Sequence, residues 1–223
     1  MILEREFRGQ KFFFHETPEA PALIEEIFSD NYRVFESKME FSTGDVILDI
    51  GANEGMFSIL MSKMFPEARV IALEPVPRTY NSLLQNKLIN DCPNLRPYNL
   101  GVGKPGQRTT ELITNKNGAS GGSTSFCTFN PEMHEKVEVG LVSLDEIFEL
   151  YDIDRCKLLK VDCEGSEYDI LYPSTVLSRV DYMAMEIHIN QRLEYQARRA
   201  DALAVWCANQ TKIISVVYCK MAE

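Results

Sequence analysis

The chain has 223 residues, of which 45% are hydrophobic and 25% are charged, values close to the average for globular proteins. This length fits one α/β domain with an extension better than two full domains, and it is enough to bury a core without disulfides or metals. The formal net charge of −10 repels phosphate backbones and anionic lipid headgroups. Nucleic acids and membranes are therefore poor candidates for the partner of this protein.

The cysteines and the N-terminal residues favour a cytoplasmic protein. No two of the six cysteines have the C-x-x-C spacing of a zinc ribbon or a redox dithiol, so we expect reduced thiols. Residues 1–14 lack a hydrophobic run followed by a cleavage site. No stretch of the sequence approaches the ~20 apolar residues of a membrane span. We therefore expect a soluble protein.

The order of the predicted elements indicates the fold class. Residues 1–43 are expected to form a helical extension on the acceptor side of the site, and residues 44–223 a cofactor-binding domain. Strands are predicted at 46–50, 69–73, 95–102, 108–114, 137–142, 157–161, 182–187 and 213–218, and helices at 56–64, 78–90, 144–151, 166–171 and 191–206. Such alternation is typical of an α/β fold with a doubly wound, mostly parallel sheet that helices cover on both faces.

A loop with two glycines follows the first predicted strand. It reads Asp49-Ile50-Gly51-Ala52-Asn53-Glu54-Gly55 and leads directly into a helix. Gly51 allows a sharp turn, and Gly55 lets a ligand approach the helix start without a Cβ in the way. Ala52 and Asn53 break the G-x-G-x-x-G pattern that a dinucleotide pyrophosphate requires. S-adenosylmethionine (SAM) has no phosphate and tolerates the looser loop.

An acidic residue, Glu74, ends the second predicted strand. It lies about 20 residues beyond the glycine loop, where a carboxylate accepts hydrogen bonds from both ribose hydroxyls of a nucleoside cofactor. Each signal alone is weak, but the two in order favour an adenosine-containing cofactor. SAM is the favoured cofactor, and NAD is the minority alternative.

The sequence resembles the FkbM family of SAM-dependent methyltransferases. The resemblance extends over about residues 34–190 and is most specific in Leu158–Leu171 (LLKVDCEGSEYDIL). Shorter matching segments are Val46–Gly55 (VILDIGANEG), Ile71–Pro75 (IALEP) and Leu141–Ile147 (LVSLDEI). The resemblance implies a Rossmann-like class I methyltransferase fold and methyl transfer to a hydroxyl oxygen, on a sugar or a small natural product.

The resemblance also assigns roles to individual residues. Asn53 and Gly55 would lie against the methionine portion of SAM, and Glu74 would be the ribose-binding acid. Four positions match the first SAM motif of the family: Asp49, Gly51, Asn53 and Gly55. Four positions match its second hallmark: Asp162, Glu164, Gly165 and Glu167. Such folds usually end in a two-strand hairpin, whereas this sequence shows a single strand-like run at 213–218, which leaves the sheet edge and a possible homodimer open.

Two short motifs mark the candidate reaction centre. Asp162 and Glu164 end one predicted strand, and Glu186 and His188 end the next. Side chains two apart on a strand face the same side, and neighbouring strands lie ~4.8 Å apart, so the four groups are expected within about 10 Å. Glu167 is predicted to have a structural role, because an acid suits the first turn of a helix.

Two mechanisms are open for this centre. His188 is the favoured general base for the acceptor hydroxyl, with Glu186 or Asp162 orienting its ring. The alternative is a divalent cation such as Mg²⁺ or Mn²⁺ held by the same four residues. We favour the mechanism without a metal, because such carboxylates can also be held by helix N–H groups and by hydroxyls of the acceptor.

The remaining alternatives concern the Gly/Ser-rich loop and the activity itself. Residues Asn115–Ser125 (NKNGASGGSTS) are either a flexible connector or a lid that binds the acceptor, a small molecule or carbohydrate. The protein is either a methyltransferase, a SAM-binding module without catalysis or, least favoured, an NAD-dependent oxidoreductase. The presence of all four residues of the reaction centre favours the enzyme.

Overall fold

A computed structural model of the chain describes residues 1–116 and 124–221. The N-terminal extension contains two strands and a helix: β1 (Ile2–Phe7), β2 (Gln10–His15) and α1 (Ala20–Phe28). The strands form an antiparallel hairpin, whereas the sequence analysis expects a helical extension. The reason is the period-two pattern of β2, which buries Phe12 and Phe14 completely against Phe28 of α1.

Strands and helices alternate through the rest of the described chain. The strands are β3 (Val46–Ile50), β4 (Arg69–Leu73), β5 (Leu95–Tyr98), β6 (Gly101–Gly103), β7 (Thr109–Asn115), β8 (His134–Ser143), β9 (Cys156–Val161), β10 (Val180–Ile189) and β11 (Lys212–Lys220). The helices are α2 (Met56–Met64), α3 (Pro77–Asn90), α4 (Leu144–Leu150), α5 (Glu167–Leu171), α6 (Gln191–Tyr195) and α7 (Ala200–Ala208), with a 3₁₀ turn at Leu177–Arg179. Within the described residues no helix is both long and apolar enough to cross a membrane.

The central sheet has six strands in the order β11-β10-β9-β3-β4-β5, and every neighbouring pair is parallel. The predicted doubly wound, Rossmann-like architecture is therefore confirmed. The strand order runs outward from β3 in one direction and from β9 in the other. The final strand-like run is also confirmed as a strand, and it pairs in parallel with β10.

Both faces of the sheet are buried, which explains why the central strands are almost continuously apolar. On β3, Leu48 packs into a core with α4, α5 and α7, and its neighbour Ile47 packs into a core with α1 and α2. Successive side chains of a strand point to opposite faces, so this split follows from the pleat. The hairpin is fixed to the same side, since the backbone N–H groups of Phe13 and His15 donate to the side chains of Asn90 and Asn86 on α3.

Two elements that the sequence predicts as continuous are each divided into two in the structure. The strand predicted at 95–102 is divided into β5 and β6 around Asn99, whose side-chain amide donates to the backbone carbonyls of Glu74 and Pro75. β6 leaves the central sheet and pairs with β8, which also pairs antiparallel with β7. The hydrophobic pattern does not reveal this exchange of partners, because both strands are largely apolar.

The helix predicted at 191–206 is likewise wrong, because α6 and α7 are separate. Ala197, between them, has a φ of +59°, a left-handed conformation that ends a helix. The turn is stabilised by Arg198, whose guanidinium donates to Asp169 at 2.7 Å and lies over the Tyr168 ring. Leu193 and Leu203 are both fully buried, so the apolar residues alone are compatible with one helix.

Candidate active site

The site begins at the point where the strand order of the sheet changes direction. Gly51 follows β3 and Asp162 follows β9, and the Asp162 N–H donates to the carbonyl of Ile50 at 3.1 Å. Gly51 has a φ of +77°, and a Cβ built there would lie 1.8 Å from the carbonyl oxygen of Asp162. Only glycine allows the two strand ends to meet this closely. Ligands of doubly wound sheets bind in the crevice at such a point.

A first cleft lies on one side of this junction, with an empty volume of about 950 Å³ that is continuous with solvent. The ends of β3, β4 and β9 form one wall, and β6, β7 and β8 form the other. Its lining includes Gly51, Asn53, Glu74, Val102, Leu141 and Asp162. Its position, beyond the carboxyl ends of the parallel strands, is that of a ligand site in a doubly wound sheet.

Glu74 is the carboxylate of the first cleft. It is buried, and its two oxygens accept the backbone N–H groups of Asn53 at 2.9 Å and Val76 at 2.8 Å. Burial raises the pKa of Glu74 to about 7, although these two N–H groups act in the opposite direction. A carboxylate has about four acceptor positions, so about two remain for hydroxyl donors of a ligand.

Asn53 carries an unsatisfied acceptor at the same cleft. Its Oδ1 is buried and has no hydrogen-bond partner among the described residues. Its backbone is in the left-handed region, with a φ of +51°, which fixes the side chain in the turn after β3. Unpaired buried acceptors are rare in proteins because they cost about 1–3 kcal/mol, so a ligand that donates to Asn53 would be stabilised here.

A second cavity, of about 720 Å³, lies on the other side of the junction. Leu23 and Ile27 of α1 and Met56 and Phe57 of α2 give it an apolar wall. The ionisable residues of its lining are Glu26, Tyr32, Lys160, Asp162, Glu164, Glu186 and His188. The first cleft and the second cavity share Gly51, Asn53, Asp162 and Glu164, so the two spaces meet at the ends of β3 and β9.

Lys160 of β9 lies beneath the junction and contacts residues at the ends of both β3 and β9. Its side chain is only 4% exposed, and its Nζ lies 3.2 Å from Asp49 Oδ1 and 3.4 Å from Asp162 Oδ2. It also donates to the carbonyl of Gly51 at 2.8 Å. Burial lowers the pKa of Lys160, but Asp49 and Asp162 more than offset this and keep it above its usual value. Lys160 is therefore a fixed positive charge beneath the junction.

His188 and Glu167 form a buried pair at the edge of the second cavity. The ring Nδ1 lies 2.9 Å from Glu167 Oε1, and Nε2 faces Glu164 Oε2 at 3.5 Å and Asp162 Oδ1 at 3.9 Å. Glu167 is fully buried and also accepts the N–H groups of Cys163 and Gly165. Burial lowers the pKa of His188, but the hydrogen bond and charge of Glu167 outweigh it and raise the pKa to about 9.

Tyr32 connects the N-terminal extension to the ends of β9 and β10. It is 2% exposed, and its hydroxyl lies 3.0 Å from Asp162 Oδ2 and 3.0 Å from Glu186 Oε1. Its ring packs edge-on against Phe57 and lies 5.4 Å from Lys160 Nζ. The thiol of Cys219 in β11 donates a hydrogen bond to the other carboxylate oxygen of Glu186, Oε2. The extension therefore supplies part of the site itself.

Comparison with known protein families identifies the family of this chain. Residues 49–212 match the family described as Methyltransferase FkbM domain. The chain belongs to the FkbM methyltransferase family. The matched range runs from Asp49 to Lys212 and includes every predicted site residue. With the six-stranded parallel sheet, it confirms both the family resemblance and the class I methyltransferase fold that the sequence predicts.

Curated relatives are similar over part of their length. The chain is 29% identical over 147 residues to Methyltransferase 1 of Beauveria bassiana (strain ARSEF 2860), which covers 59% of this chain and 59% of that protein. It is 28% identical to 31-O-demethyl-FK506 methyltransferase FkbM of Streptomyces tacrolimicus, covering 69% of this chain and 68% of that protein. It is 26% identical to hexuronic acid methyltransferase AglP of Haloferax volcanii (strain DS2), covering 67% and 58%. The chain thus spans roughly three fifths to two thirds of the length of these relatives.

The four residues that the strand ends predict as a reaction centre lie together on the lining of the second cavity: Asp162, Glu164, Glu186 and His188. The ring of His188 is oriented differently from the prediction, because Glu167 rather than Glu186 or Asp162 contacts its Nδ1. For Glu167, the place in a first helical turn predicts only a structural role. The missing signal is its burial, which the sequence does not display.

The predicted cofactor residues divide into two groups. Gly51, Asn53 and Glu74 line the first cleft. Asp49 lies beneath it, bound to Lys160 and to the hydroxyl of Ser58. Gly55 lines neither space and instead begins α2 with a φ of +88°, where a Cβ would meet Leu83 Cγ at 2.9 Å. Its glycine is explained by packing between α2 and α3.

The geometry of the site is compatible with the alternative mechanism, in which a divalent cation is bound. Ligand atoms of Asp162, Glu164 and His188 lie within 4.8 Å of one another, and so do those of Glu186, His188 and Cys219.

Most of the proposed lid at Asn115–Ser125 lies outside the described residues, so the lid stays a prediction. The sequence analysis expects the extension on the acceptor side but does not name Tyr32 or Glu26, because the local sequence does not indicate which side chains of the extension reach the sheet. It also does not single out Lys160 of β9.

Proposed function

We propose that this FkbM-family protein is a SAM-dependent methyltransferase that binds its cofactor in the first cleft and an acceptor with a hydroxyl group in the second cavity. The observation that carries the proposal is the junction, where Gly51, Asn53, Asp162 and Glu164 line both spaces. A methyl group moves over a short distance between donor and acceptor atoms, so the two sites of such an enzyme must open onto each other.

The residues of the first cleft fit SAM. Glu74 has acceptor positions left for two ribose hydroxyls, and the buried Asn53 Oδ1 lacks the donor that an amino group would supply. Gly51 leaves the junction open, since a Cβ there would collide with the backbone after β9. When bound, SAM supplies a methyl group on a sulfonium that accepts a nucleophile. The loop between β3 and α2 and Glu74 would hold it.

His188 is the group we assign to deprotonation of the acceptor. A hydroxyl is a weak nucleophile, so a base must take its proton at Nε2 as the oxygen attacks. Glu167 fixes the ring through Nδ1 and stabilises the imidazolium that forms. With a pKa of about 9, only about one His188 in a hundred is neutral at pH 7. A cation in the adjoining first cleft lowers that pKa and enlarges the reactive fraction.

The composition of the second cavity supports a hydroxylated acceptor. Asp162, Glu164 and Glu186 accept hydrogen bonds from hydroxyl groups, while Leu23 and Ile27 offer an apolar face to a ring. Among the relatives, one is named for a 31-O-demethyl compound and another for a hexuronic acid. We therefore propose O-methylation of a sugar or a small natural product.

The proposal is tested by cofactor binding followed by methyl transfer. Thermal unfolding is measured with SAM, S-adenosylhomocysteine, NAD and ATP, since a ligand that binds only the native state raises the melting temperature. We expect SAM and S-adenosylhomocysteine alone to stabilise the protein. Radiolabelled methyl transfer is then followed to hexoses, hexuronic acids and hydroxylated macrolides. Stabilisation by NAD and not by SAM would overturn the cofactor assignment.

A further inference from the structure

The turn between β9 and α5 contains two successive residues in the left-handed region. Glu164 has a φ of +49° and Gly165 a φ of +101°. Glycine adopts this conformation freely, whereas a residue with a Cβ keeps it only where the surrounding structure holds it. Strained residues of this kind are concentrated at active sites. The conformation of Glu164 therefore requires contacts that hold it.

The strained turn brings the side chain of Glu164 to the reaction centre. Its Oε2 lies 3.5 Å from His188 Nε2, and the residue lines both the first cleft and the second cavity. The peptide N–H groups on either side, those of Cys163 and Gly165, donate to the buried carboxylate of Glu167. Glu167 therefore fixes the two ends of the turn, and the carbonyl of Glu164 is the group that remains to be held.

A buried hydroxyl from a distant segment binds this carbonyl. Thr124 is 4% exposed, and its Oγ1 donates to the carbonyl oxygen of Glu164 at 2.6 Å. The same Oγ1 accepts the N–H of Phe126 at 3.1 Å, so the hydroxyl acts as donor and acceptor at once. The backbone of Thr124 is fixed on β7, since it exchanges two hydrogen bonds with Ile113, at 2.9 and 3.1 Å. Thr124 thus connects β7 to a turn 40 positions further along the chain.

Phe126 packs against the second residue of the turn. A Cβ built at Gly165 would lie 2.9 Å from Phe126 Cδ2, so the ring lies directly on the glycine. The guanidinium of Arg198 lies 5.3 Å from the centroid of the Phe126 ring, and the side-chain amide of Asn190 donates to the Phe126 carbonyl at 3.0 Å. Phe126 also lines the first cleft. The residue therefore contacts the turn and the cofactor space at the same time.

We propose that Thr124 is a positioning residue of the reaction centre. Its hydroxyl holds Glu164 in the left-handed turn and thereby places the carboxylate of Glu164 beside His188 Nε2, while Phe126 supports the turn against Gly165. The inference deepens the proposed function and rests on the assignment of His188 to the reaction. It also links the two spaces, because a segment at the wall of the first cleft fixes a carboxylate of the second cavity.

Nuclear magnetic resonance tests the turn on the full chain without a known acceptor. One-bond Cα–Hα couplings and intraresidue NOEs distinguish a positive from a negative φ at Glu164. Valine has the shape of threonine without the hydroxyl, so Thr124→Val should lose the positive-φ signature, because a negative φ is the lower-energy state of a glutamate. Thr124→Ser keeps the hydroxyl and should retain the signature. Asp152, which has a φ of +51° in another turn, is the internal control and should not change in either variant.

Kinetics with an acceptor from the methyl-transfer screen test the consequence for the reaction. Thr124→Val should lower kcat by about tenfold or more, because a misplaced group at the reaction centre costs rate. S-adenosylhomocysteine affinity should stay within about twofold of the wild type, since Thr124 does not line the first cleft. Thr124→Ser should restore most of kcat. Thr114→Val is the matched control, because it removes another buried hydroxyl, which faces Glu135 rather than the turn.

The two measurements separate this proposal from the proposed function. A positive φ of Glu164 that persists in Thr124→Val would overturn the positioning role, whatever the turnover. An unchanged kcat in Thr124→Val, or a loss in Thr124→Ser as large as in Thr124→Val, would also overturn it. A wild type that binds no S-adenosylhomocysteine and transfers no methyl group would contradict the proposed function instead, and the resonance experiment would still decide whether Thr124 holds the turn.

Discussion

The first cleft and the second cavity lie on opposite sides of one junction but are built in different ways. The polar groups of the cleft follow strands that are close in sequence, with Asn53 after β3 and Glu74 after β4. Those of the second cavity combine two successive strands, with Asp162 after β9 and Glu186 in β10, with Glu26 and Tyr32 of the distant N-terminal extension. The candidate cofactor groups of the cleft come from one part of the chain, whereas the cavity requires the N-terminal extension to pack against the ends of β9 and β10.

The two spaces also differ in how their charges are neutralised. Glu74 is held by two backbone N–H groups, one from Asn53 in the loop after β3 and one from Val76. The acids of the second cavity are held by Tyr32, by Lys160 and by His188. A backbone-bound acid is insensitive to substitution elsewhere, whereas coupled acids respond together. Substitutions should therefore affect the cleft singly and the cavity as a group.

The largest effect expected from the cavity side is that of His188→Ala. Loss of a general base lowers turnover by about 10²–10⁴, while S-adenosylhomocysteine binding stays nearly unchanged because His188 does not line the first cleft. Initial rates with an acceptor from the methyl-transfer screen check this, with calorimetry for binding. Full turnover in His188→Ala would exclude His188 from the reaction.

The same assay separates the two mechanisms proposed from the sequence. In the metal-free mechanism, EDTA has no effect on the wild type. Activity that EDTA abolishes and Mg²⁺ or Mn²⁺ restores would show that Asp162, Glu164 and His188 hold a cation, as their spacing within 4.8 Å allows.

Gly51→Ala should damage both spaces at once, because Gly51 lines each of them. A Cβ at 1.8 Å from the Asp162 carbonyl forces the strand ends apart, with an expected loss of about 3 kcal/mol or more in the free energy of unfolding. Gly106→Ala is the matched control, since Gly106 also has a positive φ, of +81°, but nothing lies within 4 Å of its Cβ position. The control should lose only the ~1–2 kcal/mol of the left-handed backbone. Equal losses in urea denaturation would contradict the close junction.

Glu167→Gln should show the coupling in the cavity. The hydrogen bond and charge of Glu167 are the largest influences that raise the pKa of His188 to about 9, so their loss should lower it by about one unit or more. The chain has only three histidines, which makes ¹⁵N nuclear magnetic resonance titration direct, with His188→Gln for assignment. Because the base acts in its neutral form, the rising part of the pH–rate profile should move to lower pH. An unchanged His188 pKa would show that Glu167 does not control the ring.

The difference between the two spaces explains what the sequence predicts and what it does not. Gly51 and Glu74 are recognisable because short motifs after successive strands specify a cofactor site. His188 and Asp162 are recognisable because parallel strands end at one edge. Tyr32 and Glu26 are not recognisable from the sequence, since the hairpin and the packing of α1 depend on contacts between residues far apart in the chain. The separation of α6 from α7 has the same origin in Arg198, whose partner Asp169 lies 29 positions away.

The assignment of the cofactor to the first cleft and of the acceptor to the second cavity is tested most directly by a titration. S-adenosylhomocysteine is titrated into three proteins: the wild type, Glu74→Ala and Glu26→Gln. Glu74→Ala removes two hydrogen bonds to a charged acceptor and should weaken binding about tenfold or more. Glu26→Gln alters only the second cavity and should bind as the wild type does. Unchanged affinity in Glu74→Ala, or a loss in Glu26→Gln as large as that in Glu74→Ala, would contradict the assignment of the first cleft to the cofactor.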